Sequence, residues 1–235
     1  MRFRTLLLAS LAALAVCTAA AAAADPQLAI DPADQAWAQS IVPSSTDLGS
    51  TWQPLPGDPA GDPRTNAICS GQMGPDESDL TISGGSSSDF TREDGGAVVV
   101  SSVTVWKTAD YAQADWDRTV QPPLLGCVSA SLTSASTKKV RVVVTGKRAF
   151  TFPALGQRTA AYRFFLAYRT TKTVKKKRKT ISVPATFDLV LFGNGRATAA
   201  LGMLSFNKVP LSDLSKQGLA SAVAGRMATD PHTRP

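Results

Sequence analysis

Apolar and polar residues alternate with period two over three stretches in the second half of the chain. Val140, Val142 and Val144, then Phe150 and Phe152, alternate with Arg141, Thr145 and Lys147. Ala160, Tyr162, Phe164, Leu166 and Tyr168 alternate with Arg163 and Arg169. Ile181, Val183, Phe187, Leu189 and Leu191 alternate with Ser182, Thr186 and Asp188. A period of two marks a strand with one buried face. Asn194-Gly195 favours the positive backbone angles of a tight hairpin turn, so it predicts a hairpin leading into a further strand over Arg196–Phe206. Upstream, Ala97–Lys107 predicts a Val-rich strand with Val99, Val103 and Val105 on one parity.

Helical spacing appears in three other places. Asp31-Pro32 predicts a helix start running to about Val42, with Trp37 and Ile41 on one face. Thr108 predicts a cap for a second helix carrying Tyr111, Ala112, Asp115, Trp116, Thr119 and Val120, which Pro122-Pro123 ends. Leu211 to Met227 predicts a closing helix on Leu214, Leu219, Ala222, Val223 and Arg226, weakened by Gly218 and Gly225. Residues 53 to 66 read as loop, and Gly84–Asp89 is another Gly/Ser-rich stretch. The predicted order is helix, one or two strands, helix, about four strands in a meander, helix. Strands joined by short turns are antiparallel. The expected fold is therefore α+β: an antiparallel meander with helices packed on it, one domain over 31 to 228.

The ends change the picture. Residues 1 to 24 run from Met1-Arg2-Phe3-Arg4 through an apolar segment to the small residues Ala21–Ala24, the order of a secretory signal peptide. Retention as an anchor is the rival. Val16 before Cys17 argues against lipidation. Residues 25 to 30 read as a tether and 229 to 235 as a disordered tail holding the chain's one histidine, His232. The expected location is extracellular or the cell envelope, with no later segment apolar enough to span a membrane. Cys69 and Cys127 remain after signal removal, and an even count in an exported chain predicts a disulfide. With no positioned imidazole, a Ser-His-Asp triad, a Cys-His pair and a histidine zinc site are excluded from the body of the chain. Neither a metal nor a cofactor is expected.

Other apparent motifs carry less. Ser136-Thr137-Lys138-Lys139 has the serine-x-x-lysine pattern, but its Ser-Asp-Asn and Lys-Thr-Gly companions are absent. Asp58 with Asp62, and Asp76, Glu77 and Asp79, lack calcium-loop spacing and read as solvated loops. Charge is more telling. Residues 25 to 137 carry 15 acids and 4 bases, whereas residues 138 to 235 carry 3 acids and 19 bases. The bases concentrate in Lys172, Lys175, Lys176, Lys177, Arg178 and Lys179, between two patterned strands, which predicts a cationic hairpin tip. Such a tip attracts anionic envelope polymers or a membrane surface. No aromatic is interleaved for base stacking, so nucleic acid is not expected.

Several landmarks together carry a family likeness. They are Asp47-Leu48 then Trp52, Cys69, Asp79-Leu80-Thr81-Ile82-Ser83-Gly84, and Val105-Trp106-Lys107-Thr108-Ala109-Asp110 with Trp116. Pro123-Leu124-Leu125-Gly126-Cys127, Asp188-Leu189-Val190 with Gly195-Arg196, and a closing helix ending at Arg226 complete them. Over residues 33 to 228 the chain resembles exported actinobacterial sensor-domain-like proteins related to the extracellular domain of the receptor kinase PknH, which have a PsbP-like α/β sandwich. The resemblance implies extracytoplasmic binding or sensing without catalysis. The chain departs from the kinase in having no kinase domain, no second anchor and one possible disulfide where the kinase sensor has two. A monomeric module that binds an unknown small molecule in an apolar cleft between sheet and helix is the first expectation. The alternatives are a lipid-binding or lipid-carrier envelope protein and a histidine-independent hydrolase using carboxylates 5 to 10 Å apart.

Overall fold

The computed structural model describes residues 26–55, 76–174, 177–206 and 210–232, with side chains described except at 172–178. The order is β1 (Gln27–Leu28), α1 (Pro32–Ile41), α2 (Ser45–Leu48), β2 (Trp52–Pro54), β3 (Thr81–Arg92) and β4 (Ala97–Trp106). It continues α3 (Ala109–Thr119), α4 (Leu124–Ser134), β5 (Arg141–Ala149), β6 (Arg158–Val174), β7 (Lys177–Asn194), β8 (Ala197–Phe206) and α5 (Asp213–Met227). The fold is α+β, as the pattern predicts. One sheet runs β1-β3-β4-β8-β7-β6-β5, with β2 also on β3. Every pairing is antiparallel except β1 with β3.

The meander β5 to β8 folds back so that β8 lies beside β4. Both faces of the sheet are therefore central and both need cover. Odd-numbered valines of β4, namely Val99, Val103 and Val105, pack with Trp37 and Ile41 of α1 and Leu219, Val223 and Met227 of α5. Val98 joins Phe164, Leu166, Phe187, Leu189 and Leu204 against Leu124, Val128 and Leu132 of α4. Asp31 caps α1 by accepting from the N–H groups of Ala33 and Asp34 at 2.8 and 3.1 Å, and Pro32 occupies the first helical position. Gly195, at φ +52, turns β7 into β8.

Four expectations are corrected. Residues 25 to 30 are not a bare tether, because Gln27 and Leu28 pair with Thr81 and Ile82 as an edge strand. The Gly/Ser stretch 84–89 lies inside β3, where neighbours on the sheet override weak strand propensity. Gly84 is needed there: a Cβ would stand 2.6 Å from the Asp34 carbonyl carbon of α1. Leu124–Ser134 forms a helix of its own, where the predicted order had none between Pro122-Pro123 and the meander. The tail is held as far as Asp230, whose carboxylate takes two bonds from Arg196 at 2.9 and 3.0 Å. Among the described residues no helix is long and apolar enough to cross a membrane.

Candidate functional site

Directly paired residues of antiparallel strands point to the same face. On the α3/α4 face, three rungs lie side by side. One runs Asp89, Val100, Gly202, Leu189, Tyr162; the next runs Ser87, Ser102, Ala200, Leu191, Ala160. The third runs Gly85, Thr104, Thr198, Gly193, Arg158. Across β3, β4 and β8 these side chains are short, and Asp89, Val100, Ser102, Thr104 and Ala200 are only half-buried. The adjoining rung of Val98, Leu204, Phe187 and Phe164 is tall and buried. Among the described residues, short side chains beside tall ones leave a shelf. At about 4.8 Å between strands and about 6.8 Å between rungs, it measures roughly 15 by 13 Å.

The shelf has polar groups at both ends. Asp89 stands at the β3 end, where burial pushes its carboxyl up against the opposing bond from the Ser101 backbone. Leu55, half-buried, lies beside it with its N–H on the Asp89 carbonyl at 2.8 Å. Ser87, Ser102 and Thr104 make no side-chain hydrogen bond among the described residues. Thr198 accepts from Trp106 Nε1 at 3.1 Å. Tyr162 flanks the β6 side, its hydroxyl pushed up by burial. At the far end Arg158 lies against Gly193, where a Cβ would meet its Nε at 2.8 Å, and under the Trp116 ring at 5.9 Å. Its terminal nitrogens donate to Gln113 Oε1 and the Gly195 carbonyl at 3.1 and 2.9 Å, while Nε is buried without a partner.

Beside Arg158, Asp115 of α3 accepts from Thr119 Oγ1 at 3.2 Å and shares a hydrogen bond with Glu77. Burial pushes Asp115 up to about 6, against these bonds and the charges of Arg158 and Arg118. Between the ordinary carboxylate value of about 3.9 and about 6, the folded chain holds a proton that the unfolded chain has released. Stability from this group therefore falls as pH rises through that window. Asp115→Asn is expected to flatten the pH dependence of urea-unfolding free energy between pH 4 and 6. An unchanged slope would mean that Asp115 titrates alike in both states. Carboxyls sharing one hydrogen bond stand closer than the 5 to 5.5 Å or 6.5 to 9.5 Å of glycosidase pairs. This pair therefore does not supply the spacing the hydrolase alternative requires.

Two further charge clusters lie on the α1/α5 face. Asp188, fully buried, accepts from Arg163 at 2.6 and 2.8 Å and from buried Lys216 at 2.6 Å. Arg196 binds Asp34 and Asp230 and sits 5.8 Å from the Trp37 ring. His232 Nε2 lies 3.1 Å from Asp34, which makes Asp31, Asp34 and His232 a metal-sized group. Arg196 already neutralises Asp34, and Asp31 is committed to its helix cap, so this group is read as an ion-pair cluster.

The residues singled out in the sequence do not converge on the shelf. Cys127 is buried on α4, while Cys69 lies outside the described residues. β6 and β7 stay paired through Val174↔Lys177, beyond the last rung with β5 at Arg141↔Arg169 and the last with β8 at Ala185↔Phe206. The bases of the expected tip thus fall on an overhanging two-stranded ribbon. Lys179 is exposed on it opposite Lys172; Lys177 and Arg178 are placed by backbone register, and Lys175 and Lys176 lie outside the described residues. Of the acidic loops, Asp79 is held by Arg118 at 2.5 and 2.8 Å, and Asp58 and Asp62 lie outside the described residues. Ser136 Oγ takes the Val142 N–H at 3.0 Å and braces a turn. The signal for the shelf was the even parity of β4, where Val98 and Val100 give way to Ser102 and Thr104.

No protein-family model matches the chain, and no curated protein matches it. Among solved structures it is similar to the extracellular domain of PknH from Mycobacterium tuberculosis, at 9% identity and a TM-score of 0.39 over 84% of this chain and 98% of that one. It is also similar to the lipid transfer and protein localization domain of human StarD13 (DLC2), at 11% identity and a TM-score of 0.19 over 66% of this chain and 89% of that one. At these values neither overlap carries a functional inference.

Proposed function

We propose that this chain is an exported, non-catalytic, sensor-like binding module whose small-molecule ligand lies on the shelf. The carrying observation is a floor of short, half-buried side chains in which Asp89 and the Ser87, Ser102 and Thr104 hydroxyls stand beside the apolar Val100, Ala200 and Tyr162. Apolar area with a few placed polar groups is the usual make-up of a ligand site. The floor fits a flat amphiphile that offers a hydrogen-bond donor to Asp89. A neutral, polarity-sensitive aryl amine dye is the probe. Wild-type protein is expected to enhance its fluorescence saturably, Ala200→Trp to abolish the enhancement by filling the floor, and Asp89→Asn to weaken it. Equal enhancement by wild type and Ala200→Trp would place binding elsewhere and sink the reading.

Export is proposed on the three-zone N-terminus, and Edman sequencing of protein recovered outside the cytoplasm is expected to begin near Asp25. A Cys69–Cys127 disulfide is proposed with it. The closed loop of about 58 residues corresponds to roughly 4 kcal/mol in the chain-entropy model, so serine at either position is expected to cost about 2 to 5 kcal/mol. Free-thiol labelling of unfolded, unreduced protein checks the bond, and two labelled cysteines would disprove it. The bases at the ribbon tip are proposed to adhere to anionic surfaces, weakening as salt shortens the Debye length.

A further inference from the structure

We infer that the outer strip of β5 and β6, on the α1/α5 face, docks on an anionic phospholipid surface. The strip is built from opposed pairs: Arg141 with Arg169, Val143 with Ala167, Gly146 with Phe165, and Arg148 with Arg163. Arg163 bonds Asp188 beneath α5, so all four pairs share that face. β5 is an edge strand, and α5 packs on β7 and β8, so this strip extends beyond the helix cover.

Its composition is unfavourable in isolation. Arg141 and Arg169 stand directly opposite with no acid partner among the described residues, and both are exposed. Like charges on opposed positions destabilise a sheet. Arg148 faces Arg163 in the same way, and Arg163's charge is met by Asp188 while Arg148's has no acid partner among the described residues. Asp213 stands at the border, 3.5 Å from Arg163. Between the two arginine pairs, Phe165 remains 39% exposed, with Arg148 5.6 Å over its ring. From Arg163 to Arg169 the strip spans about 20 Å.

Planar guanidiniums without an acid partner, at both ends of such a strip, match pairs of phosphate oxygens, which they bind in a fork. An exposed ring between them adds a second requirement. A soluble polyanion relieves the charge repulsion and leaves Phe165 in water. A bilayer surface answers both, with phosphates for the arginines and the interfacial zone for the ring. Arg148 lies over one face of the ring, so base stacking there competes with the guanidinium. The inference does not depend on the ligand shelf, which lies on the opposite face.

The test is sedimentation of the full chain with vesicles of phosphatidylglycerol and phosphatidylcholine, against pure phosphatidylcholine, at low and high salt. Each arginine near an anionic membrane is worth roughly fivefold in affinity, so R141Q/R148Q/R169Q is expected to bind on the order of 100-fold more weakly with the ribbon tip left intact. The lysine triple variant is expected to retain most binding, and Phe165→Ser to lose several-fold with the salt dependence unchanged. Circular dichroism is expected to be the same for all, since these side chains are exposed. A glutamine triple variant that binds like wild type, with loss seen only when the tip bases are replaced, would overturn the inference. So would binding to soluble polyphosphate without binding to anionic vesicles.

Discussion

Replacing Asp188 by Asn is expected to destabilise the chain by about 3 to 5 kcal/mol, the cost of removing one partner from a buried ion pair. Asp188 is fully buried, and Lys216 is 6% exposed with its Nζ 2.6 Å from the Asp188 carboxylate. Without that anion the lysine keeps, among the described residues, Asp213, a surface carboxylate 3.6 Å away. Arg163 stands at the border and can turn outward, so Lys216 bears most of the loss. Lys216→Met alone leaves Asp188 its Arg163 bonds and is expected to cost less. The double variant, Asp188→Asn with Lys216→Met, is expected to recover part of the loss, because the buried cation is then gone. Urea denaturation at constant pH measures all three. A double variant as unstable as the sum of the singles would show that the two groups act independently.

Arg196→Ala is expected to have an effect of similar size, about 3 to 5 kcal/mol. Arg196 puts two bonds on Asp34 at 2.8 and 2.9 Å, two on Asp230, and one on the Trp106 carbonyl at 3.2 Å. Asp34 is 2% exposed, so its charge would be left buried with the Ser83 hydroxyl and His232 as its neighbours among the described residues. Arg196→Lys keeps the charge and loses the fork, and an intermediate cost is expected. The pH dependence gives a separate readout. Burial pushes Asp34 and Asp230 up, but the Arg196 bonds and charge, with hydrogen bonds from Ser83 to Asp34 and from the His232 N–H to Asp230, outweigh it and hold both carboxyls below their ordinary value. Their contribution is therefore present above about pH 4 and is lost as pH falls through the folded-state values. Acid unfolding is expected to be steeper for wild type than for Arg196→Ala. Parallel acid-unfolding curves would show that Arg196 does not set these pKa values.

Both networks join residues far apart in the chain, and this limits how much of the site the sequence reveals. Asp188 appeared in the sequence as a polar position in an alternating strand and as one landmark of the family likeness, neither of which gave it a partner. Its alternation predicted a solvent-facing side chain, because period two separates faces without saying what covers each one. In the structure α5 covers that face, and the outward residue becomes the centre of a buried ion pair. Of the residues read as tail, Asp230 is drawn in by an arginine at a hairpin turn, and His232 lies against Asp34.

What the sequence by itself determined is local. Period-two alternation set β5 to β7, Asn194-Gly195 set the hairpin into β8, and Asp31-Pro32 and Thr108 set two helix starts, because these depend on backbone preferences and on neighbours a few residues away. The charge division between the two halves is likewise legible without coordinates. The tertiary structure decided what depends on distant partners. A strand was made of Gly84–Asp89 by pairing with β4, and a helix of Leu124–Ser134 by the apolar face beneath it. The shelf arose because short residues on β3, β4 and β8 were brought into adjoining rungs. Side-chain height matters there only relative to neighbours across the ladder, and those neighbours lie up to about a hundred residues apart in the chain.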